Sequence, residues 1–219
     1  MSISTNEGGN NKILHPFYSL ADYMKHDHSA GTIQLATGVR GIQVTEDFIV
    51  GLQSGLEEEV GDAAGMVMYK AGFEWGMQDM KAFERRFEEE YGGRTKMSEA
   101  NIMFVLETWW WPLTSEGWGT WNIDFSQRKQ GLIFVDLYDS AVAKSLGNIG
   151  KPVCHMYAGL LAGIFTYFSK RDLSSIEIQC YAMGEDFCKF LIGGEKRVNA
   201  ASFWVEEGAS ADEIRSKVS

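Results

Sequence analysis

The pattern of apolar and polar positions predicts a helix-rich first half of the chain. Apolar residues at helical spacing follow Thr45, a typical N-cap residue, and a second helix is predicted from about residue 57 to residue 80. Its charged continuation is expected to end near residue 91. A third helix is predicted to begin after Ser98 and to stop at Pro112, because proline disfavours a helical conformation in the residue before it.

Three glycines lie inside the predicted second helix, at Gly65, Gly72 and Gly76. Each costs about 1 kcal/mol relative to alanine in a helix interior, so an offsetting gain is expected. Close approach of another helix or of a ligand would supply that gain. We favour close helix packing at these positions.

From Gly117 onward the pattern changes to strands and shorter helices. Residues 121–125 alternate with a period of two and, with residues 132–138, predict a hairpin. A short helical stretch is expected to open at Asp139 or Ser140.

A strongly apolar central helix is predicted from Pro152 to about Phe168, buried on more than one face. Two strands should follow it, at residues 175–182 and 187–192, and residues 200–205 are interpreted as a further short strand.

This order of elements, without an internal repeat, predicts an α+β fold in which helices cover an antiparallel sheet. Residues 36–205 are assigned to this domain. Residues 1–35 are interpreted as a loose, polar N-terminal extension with a short helix near its end, and residues 206–219 as a polar C-terminal tail. The run from His26 to His28 is interpreted as surface rather than as a metal site.

Charge narrows the range of partners. The chain of 219 residues carries a formal net charge of -10, which disfavours nucleic acid as a partner. We predict no transmembrane segment, because no apolar run reaches the roughly 18 residues that a membrane span needs. The first residues do not show a secretory signal, so a cytoplasmic location is expected.

The three cysteines are clustered between residues 154 and 188. An odd number favours metal or redox chemistry over a disulfide framework. Cys154, Glu177, Cys180 and Cys188 are a plausible tetrahedral ligand set for Zn²⁺. Such a site, with four protein ligands, would be structural rather than catalytic.

One geometric objection concerns Glu177 and Cys180, which are three residues apart on a predicted strand. Side chains at that spacing point to opposite faces unless the strand bulges or ends between them. Two alternatives therefore stay open: buried cysteines beside an unrelated surface glutamate, and a reversible Cys180–Cys188 disulfide.

A family resemblance bears on this choice. The segments CHMYAGLLAG and IEIQCYAMGEDFCKF, with TEDFIVGLQSGLEEEVGDAAGMVMYKAGFEWG upstream, resemble the 4-vinyl reductase domain over roughly residues 36–195. The most specific part, residues 177–190, reads Glu-x-x-Cys-x-x-x-Gly-x-x-x-Cys-x-Phe. Such domains occur in proteins linked to (bacterio)chlorophyll biosynthesis and in the aromatic-sensing modules of phenol-responsive regulators. Their fold is similar to that of TRAPP-type vesicle-tethering subunits.

The resemblance implies a structural zinc. In the aromatic-sensing members the metal is held by Cys, Glu, Cys and Cys at spacings of 23, 3 and 8 residues, which carries over onto Cys154, Glu177, Cys180 and Cys188. It also implies a cavity for a hydrophobic small molecule, either an aromatic hydrocarbon or a tetrapyrrole such as a chlorophyll precursor. A homodimer formed through helices such as residues 57–80 is expected on the same ground.

Five of the seven tryptophans fall within residues 109–121. We favour an aromatic core edge, where a helix meets a hairpin, for most of these positions. The alternative is a pocket wall for a flat ligand, formed by some of these rings with Phe104, Phe125 and Phe134.

Three functions follow from these observations. The first is a ligand-binding module that supports pigment metabolism or photosystem assembly, with peripheral association with a photosynthetic complex. The second is a tetrapyrrole 4-vinyl reductase, and the third is an assembly factor that acts through protein contacts. No GxGxxG motif follows a predicted strand and no P-loop occurs, so we lean against an enzyme and assign no catalytic residue. The ATPase and helix-turn-helix modules of the regulators are not recognisable in the sequence either.

Overall fold

The structure, a computed structural model, describes residues 19–90, 93 and 96–218. Eight α-helices and seven strands are formed within these residues. The helices are α1 (Leu20–Tyr23), α2 (Glu46–Val60), α3 (Ala63–Glu90), α4 (Ile102–Ser115), α5 (Ala141–Leu146), α6 (His155–Ser169), α7 (Glu195–Glu206) and α8 (Ala211–Val218). The strands are β1 (Met24–Asp27), β2 (Thr32–Leu35), β3 (Arg40–Gly41), β4 (Thr120–Asp124), β5 (Leu132–Tyr138), β6 (Ser174–Gln179) and β7 (Cys188–Gly193).

The strands form two antiparallel sheets. The main sheet has the order β4-β5-β7-β6, and a smaller sheet has the order β1-β2-β3. The predicted hairpin is the β4–β5 pair, in which Trp121 lies opposite Leu137. The predicted α+β class with an antiparallel sheet packed by helices is therefore confirmed.

Helices cover both faces of the main sheet. On one face, Val135, Leu137 and Phe190 belong to a large core that also contains residues of α3, α4 and α6. On the other face, Phe134 and Leu191 pack with residues of α7 and α8. Strands that are buried on both faces have nearly continuous apolar runs, as β5 and β7 do.

Helices α3 and α6 pack backbone to backbone through glycines. A Cβ atom on Gly72 would lie 2.0 Å from the carbonyl oxygen of Met156, and one on Gly159 would lie 1.9 Å from that of Tyr69. The next glycine on each helix, one turn later, repeats the contact at 2.5 and 2.4 Å. The close helix packing that we favoured for these glycines is therefore confirmed.

Several predicted helix ends are wrong. Gly61, at φ +58, separates α2 from α3, so no helix begins near residue 57. The expected end near residue 91 lies outside the described residues. Helix α4 is capped by the side chain of Asn101 rather than by Ser98, and it continues through Pro112. Burial of the helix face around this proline outweighs the loss of one amide donor.

The two ends of the described chain contain more structure than expected. The small sheet starts at Met24, within the segment that we interpreted as a loose extension, while the short helix predicted there is α1. The exposed side chains of His26 and His28 agree with their interpretation as surface. The limits of the predicted extension, domain and tail stay predictions.

The strand expected at residues 200–205 is wrong, because this segment belongs to α7. The expected polar tail is wrong as well, since α8 buries Ile214 and Val218 against the main sheet. Both helices have few apolar residues, and the polar majority hides the short buried stripe in the sequence. Among the described residues, every helix is too short or too polar to cross a membrane.

Candidate metal centre and ligand cavity

The structure brings all four candidate metal ligands together. Cys154 is the N-cap residue of α6, Glu177 lies on β6, Cys180 directly follows β6, and Cys188 begins β7. Their ligand atoms all lie within 4.8 Å of one another, and all four residues are buried. The interpretation of Glu177 as an unrelated surface residue is therefore wrong.

A strand irregularity removes the geometric objection to Glu177 and Cys180. The register of β6 against β7 shifts between Glu177 and Gln179, and the strand ends at Gln179. The alternation of side chains thus breaks between the two ligands, and both face the same site. Bulges depend on pairing with the neighbouring strand, so this detail could not be predicted from the local sequence.

Backbone amides orient the glutamate. The amides of Cys154 and Val153 donate to Glu177 Oε2 at 2.8 and 3.1 Å. The other carboxylate oxygen, Oε1, is buried and has no hydrogen-bond partner among the described residues. An unpaired buried carboxylate oxygen is costly, and a bound cation would satisfy it.

The sulfur atoms have the spacing of ligands around one metal. The Sγ of Cys188 lies 3.7 Å from that of Cys154 and 3.8 Å from that of Cys180. Four tetrahedral ligands with a Zn–S bond of about 2.3 Å place two sulfur atoms about 3.8 Å apart. All three thiols are free, and these distances are far longer than a disulfide bond of about 2 Å.

The charges of the site also favour a cation. Burial raises the pKa of Cys154 and of Glu177 above their usual ranges. Hydrogen bonds from Cys154 and Cys188 lower the pKa of Cys180 to about 2. For Cys188, the hydrogen bond from Cys154 lowers the pKa, but the hydrogen bond to Cys180 and burial outweigh it. The site therefore concentrates acidic groups in a dry environment, and soft sulfur donors suit Zn²⁺.

A small cavity of about 70 Å³ lies between α1, α3, α4 and the loop after β2. We call it the aromatic cavity, because Tyr23, Trp75 and Trp109 form much of its wall. Polar groups reach it as well. Asp79 Oδ2 accepts a hydrogen bond from the indole of Trp109 at 2.6 Å. The hydroxyl of Thr37 is buried and has no partner among the described residues.

A larger cleft adjoins this cavity. It has a volume of about 610 Å³ and is lined partly by apolar residues of α1, α2 and α5, which include Leu20, Ile49 and Val142. Glu116, at the end of α4, lines both the cleft and the aromatic cavity. We call the larger space the apolar cleft.

The tryptophan predictions are divided by the structure. Trp118 and Trp121 pack against the buried ring of Tyr157, with ring centroids 6.1 and 5.7 Å apart, as expected for a core edge. Trp109 lines the aromatic cavity. Phe104, Phe125 and Phe134 do not line it, and Phe134 lies on the opposite face of the main sheet.

Sequence reasoning missed the polar residues of the aromatic cavity. Asp79 stands four residues after Trp75 and four before Phe83, so it falls within an apolar stripe of α3. An acidic residue inside such a stripe is the signal that could have identified it. Thr37 and Glu116 show no comparable signal.

Comparison with known proteins identifies one segment of the sequence. Residues 133–194 match the family model of the vinyl-4-reductase domain. The uncharacterized protein MJ1642 of Methanocaldococcus jannaschii is 34% identical over 70 residues, which cover 31% of this chain and 44% of that protein. The uncharacterized protein MJ0150 of the same organism is 31% identical over 62 residues, 28% of this chain and 36% of that protein. Each match spans less than half of the curated relative.

Three solved structures are similar to larger parts of the chain. The phenol-responsive sensory domain of the transcription activator PoxR, solved with phenol, has a TM-score of 0.64 at 20% identity over 82% of this chain and 88% of that one. A trafficking protein particle complex subunit 3 from Naegleria fowleri, covalently bound to palmitic acid, has a TM-score of 0.45 at 11% identity over 68% and 93%. A vinyl-4-reductase family protein from Methanocaldococcus jannaschii has a TM-score of 0.41 at 16% identity over 71% and 98%. The predicted resemblance is thus confirmed: the chain carries a vinyl-4-reductase-type sequence at residues 133–194 and shares the fold of the PoxR sensory domain.

Proposed function

We propose that this protein binds a small, ring-containing hydrophobic molecule in the aromatic cavity. The observation that carries the proposal is a cavity walled by aromatic rings into which an unpartnered buried hydroxyl, that of Thr37, is directed. Apolar walls with a few polar anchors are typical of small-molecule sites. The shared fold with a sensory domain that was solved with phenol supports the same class of ligand.

Size argues for a compact ligand. The aromatic cavity holds about 70 Å³, which is smaller than the roughly 150 Å³ of an engineered cavity that binds benzene. A ring would therefore enter with part of its volume in the adjoining apolar cleft, past Glu116. A tetrapyrrole is too large for the aromatic cavity. The reductase and photosystem-assembly functions stay predictions from the resemblance.

Zinc at the four-ligand cluster is the second part of the proposal. The sulfur spacing and the unpaired Oε1 of Glu177 support it. With four protein ligands the metal would be structural, and it would tie the start of α6 to both strands of the β6–β7 hairpin. Ligand binding and metal binding would then occur at separate places in the molecule.

Filling the aromatic cavity tests the proposed ligand site. Leu35 lines this cavity and is half-buried, so Leu35→Phe should remove the space for a ring. We expect calorimetric binding of phenol or toluene by the natural protein and at least about tenfold weaker binding by the variant. Leu173→Phe, at another half-buried leucine outside the cavity, is the control. Equal binding by natural protein and Leu35→Phe would place the ligand elsewhere.

A further inference from the structure

Two carboxyl groups face the aromatic cavity, those of Asp79 and Glu116. Asp79 accepts the indole hydrogen of Trp109, and Glu116 Oε2 accepts that of Trp118 at 3.3 Å. Glu116 also hydrogen-bonds with the hydroxyl of Tyr23. The salt bridges formed among the described residues do not include either carboxylate.

The carboxylates are close enough to repel each other. Burial raises the pKa of both groups, and the charge of Asp79 raises that of Glu116 further. Two anionic groups beside an apolar space are costly without a positive partner. The cavity thus has a negative potential that favours a cation or a strong hydrogen-bond donor.

The remaining walls also favour a cation. The indole rings of Trp75 and Trp109 and the phenol ring of Tyr23 line the cavity, and faces of such rings attract positive charge. Thr37 is 8% exposed and its Oγ1 has no partner among the described residues, so it offers another acceptor. A primary ammonium group has three N–H donors and no acceptor, which matches the acceptors of Asp79, Glu116 and Thr37.

We propose that the ligand of this cavity is a primary amine in its ammonium form, attached to an aromatic ring or a similarly compact apolar body. The ammonium group contacts Asp79, Glu116 and Thr37, and the body extends past Glu116 into the apolar cleft. This inference rests on the proposed ligand-binding function and specifies its ligand class. A carboxylic acid of the same shape is repelled, and a hydrocarbon leaves the carboxylates unpaired.

Four probes of nearly the same shape test the charge preference. Calorimetry on the full chain at neutral pH would compare 2-phenylethylamine, 2-phenylethanol, ethylbenzene and 3-phenylpropionate. We expect the amine to bind at least about tenfold more tightly than the alcohol, because hydrogen bonds to a charged group are the stronger ones. The acid should bind most weakly.

Two substitutions locate the preference in the cavity. Asp79→Asn should weaken binding of the amine at least about tenfold and leave the alcohol within a factor of about two. Glu74→Gln removes an exposed charge from the same helix and should change neither. Thr37→Val keeps the shape of the side chain, removes one acceptor, and should weaken the amine several-fold. This second variant keeps the test decisive if Asp79→Asn does not fold.

The outcomes separate this inference from the proposed function. If ethylbenzene or the alcohol binds as tightly as the amine, the ligand class is wrong while a hydrophobic ligand site remains. If the amine preference survives in both Asp79→Asn and Thr37→Val, the ammonium group is not held by these residues. If the natural protein binds none of the four probes, both the inference and the proposed ligand site are wrong.

Discussion

At the scale of single residues, Glu177 shows how local geometry can favour a metal ion. Two backbone amides at the start of α6 fix one of its carboxylate oxygens, and the other is left unpaired among the described residues. The three cysteine sulfurs surround the same small volume. Each group alone is costly to bury in its charged form, and one divalent cation offsets the cost for all of them.

Metal analysis tests this arrangement directly. Protein purified without chelator should contain about one zinc per chain, because the four ligand groups complete a tetrahedral site. Glu177→Gln should lose zinc and lower the melting temperature by roughly 10 °C, since an incomplete site leaves buried thiolates unpaired. Glu195→Gln, an exposed position, is the matched control. A zinc content far below one per chain, with Cys180 and Cys188 unreactive until reduced, would instead support the disulfide.

Asp79 makes a different prediction, which concerns pH. Burial raises the pKa of this carboxyl, while the hydrogen bond from Trp109 lowers it in part. The folded state therefore holds the proton more firmly than the unfolded state, whose pKa is about 3.9. The contribution of Asp79 to stability is most favourable below that pKa and is lost as pH rises through the folded-state pKa.

Asp79→Asn should consequently stabilise the ligand-free protein at pH 8 but not in acid. We expect a rise in melting temperature of roughly 3 °C at pH 8, about 1 kcal/mol for a chain of this size, and little change near pH 4. Glu74→Gln should alter neither value. A lower melting temperature of Asp79→Asn at pH 8 would show that the carboxylate is already paired in the folded protein.

At the scale of secondary-structure elements, the contact between α3 and α6 is the most demanding feature. The glycines of both helices face the carbonyl oxygens of the other helix at distances that exclude any side chain. The start of α6 also carries Cys154, so this packing helps to position the candidate metal centre. The predicted glycine cost in α3 is therefore offset by contact between elements rather than by a ligand.

Replacement of one glycine tests this packing. Gly72→Ala should cost more than about 4 kcal/mol in unfolding free energy or prevent folding, because the new Cβ would overlap the carbonyl of Met156. Gly55→Ala, inside α2 with open space around its Cβ position, should stabilise the protein by up to about 1 kcal/mol. Urea unfolding monitored by circular dichroism compares the two. Similar stabilities would contradict the backbone contact.

The same scale explains which features the sequence could predict. The metal ligands fall within residues 154–188 and carry distinctive sulfur groups, so spacing and resemblance were enough to select them. The aromatic cavity instead combines α1, α3, α4 and the loop after β2, which are separated in the chain and contain common residue types. Its polar groups become recognisable only when tertiary packing places them together. The bulge at Glu177 likewise depends on the partner strand.

At the scale of the whole molecule, the candidate metal centre and the aromatic cavity are joined by direct contacts. Tyr157, three residues after Cys154 on α6, donates a hydrogen bond to the carbonyl of Trp118 at 2.9 Å. The indole of Trp118 in turn donates to Glu116, which lines the cavity. Loss of the metal should therefore disturb the cavity through the start of α6, so a metal-free variant is expected to bind ligand more weakly.

The surface bears on the homodimer that the resemblance implies. Phe48 and Leu52 on α2 are 55% and 48% exposed, and Met66 near the start of α3 is 71% exposed. Apolar groups of this size at neighbouring positions are typical of surfaces that a partner covers. The interface expected at residues 57–80 would on this basis extend back along α2.

Phe48→Glu tests that surface. If a second copy covers α2, light scattering after size-exclusion chromatography should give a dimer for the natural protein at micromolar concentration. The variant should be a monomer, because the interface would bury an unpaired carboxylate. Phe203→Glu, at a phenylalanine of similar exposure on α7, should leave the dimer intact. A monomeric natural protein, or a Phe48→Glu variant that still dimerises, would mean that α2 is not covered by a second copy.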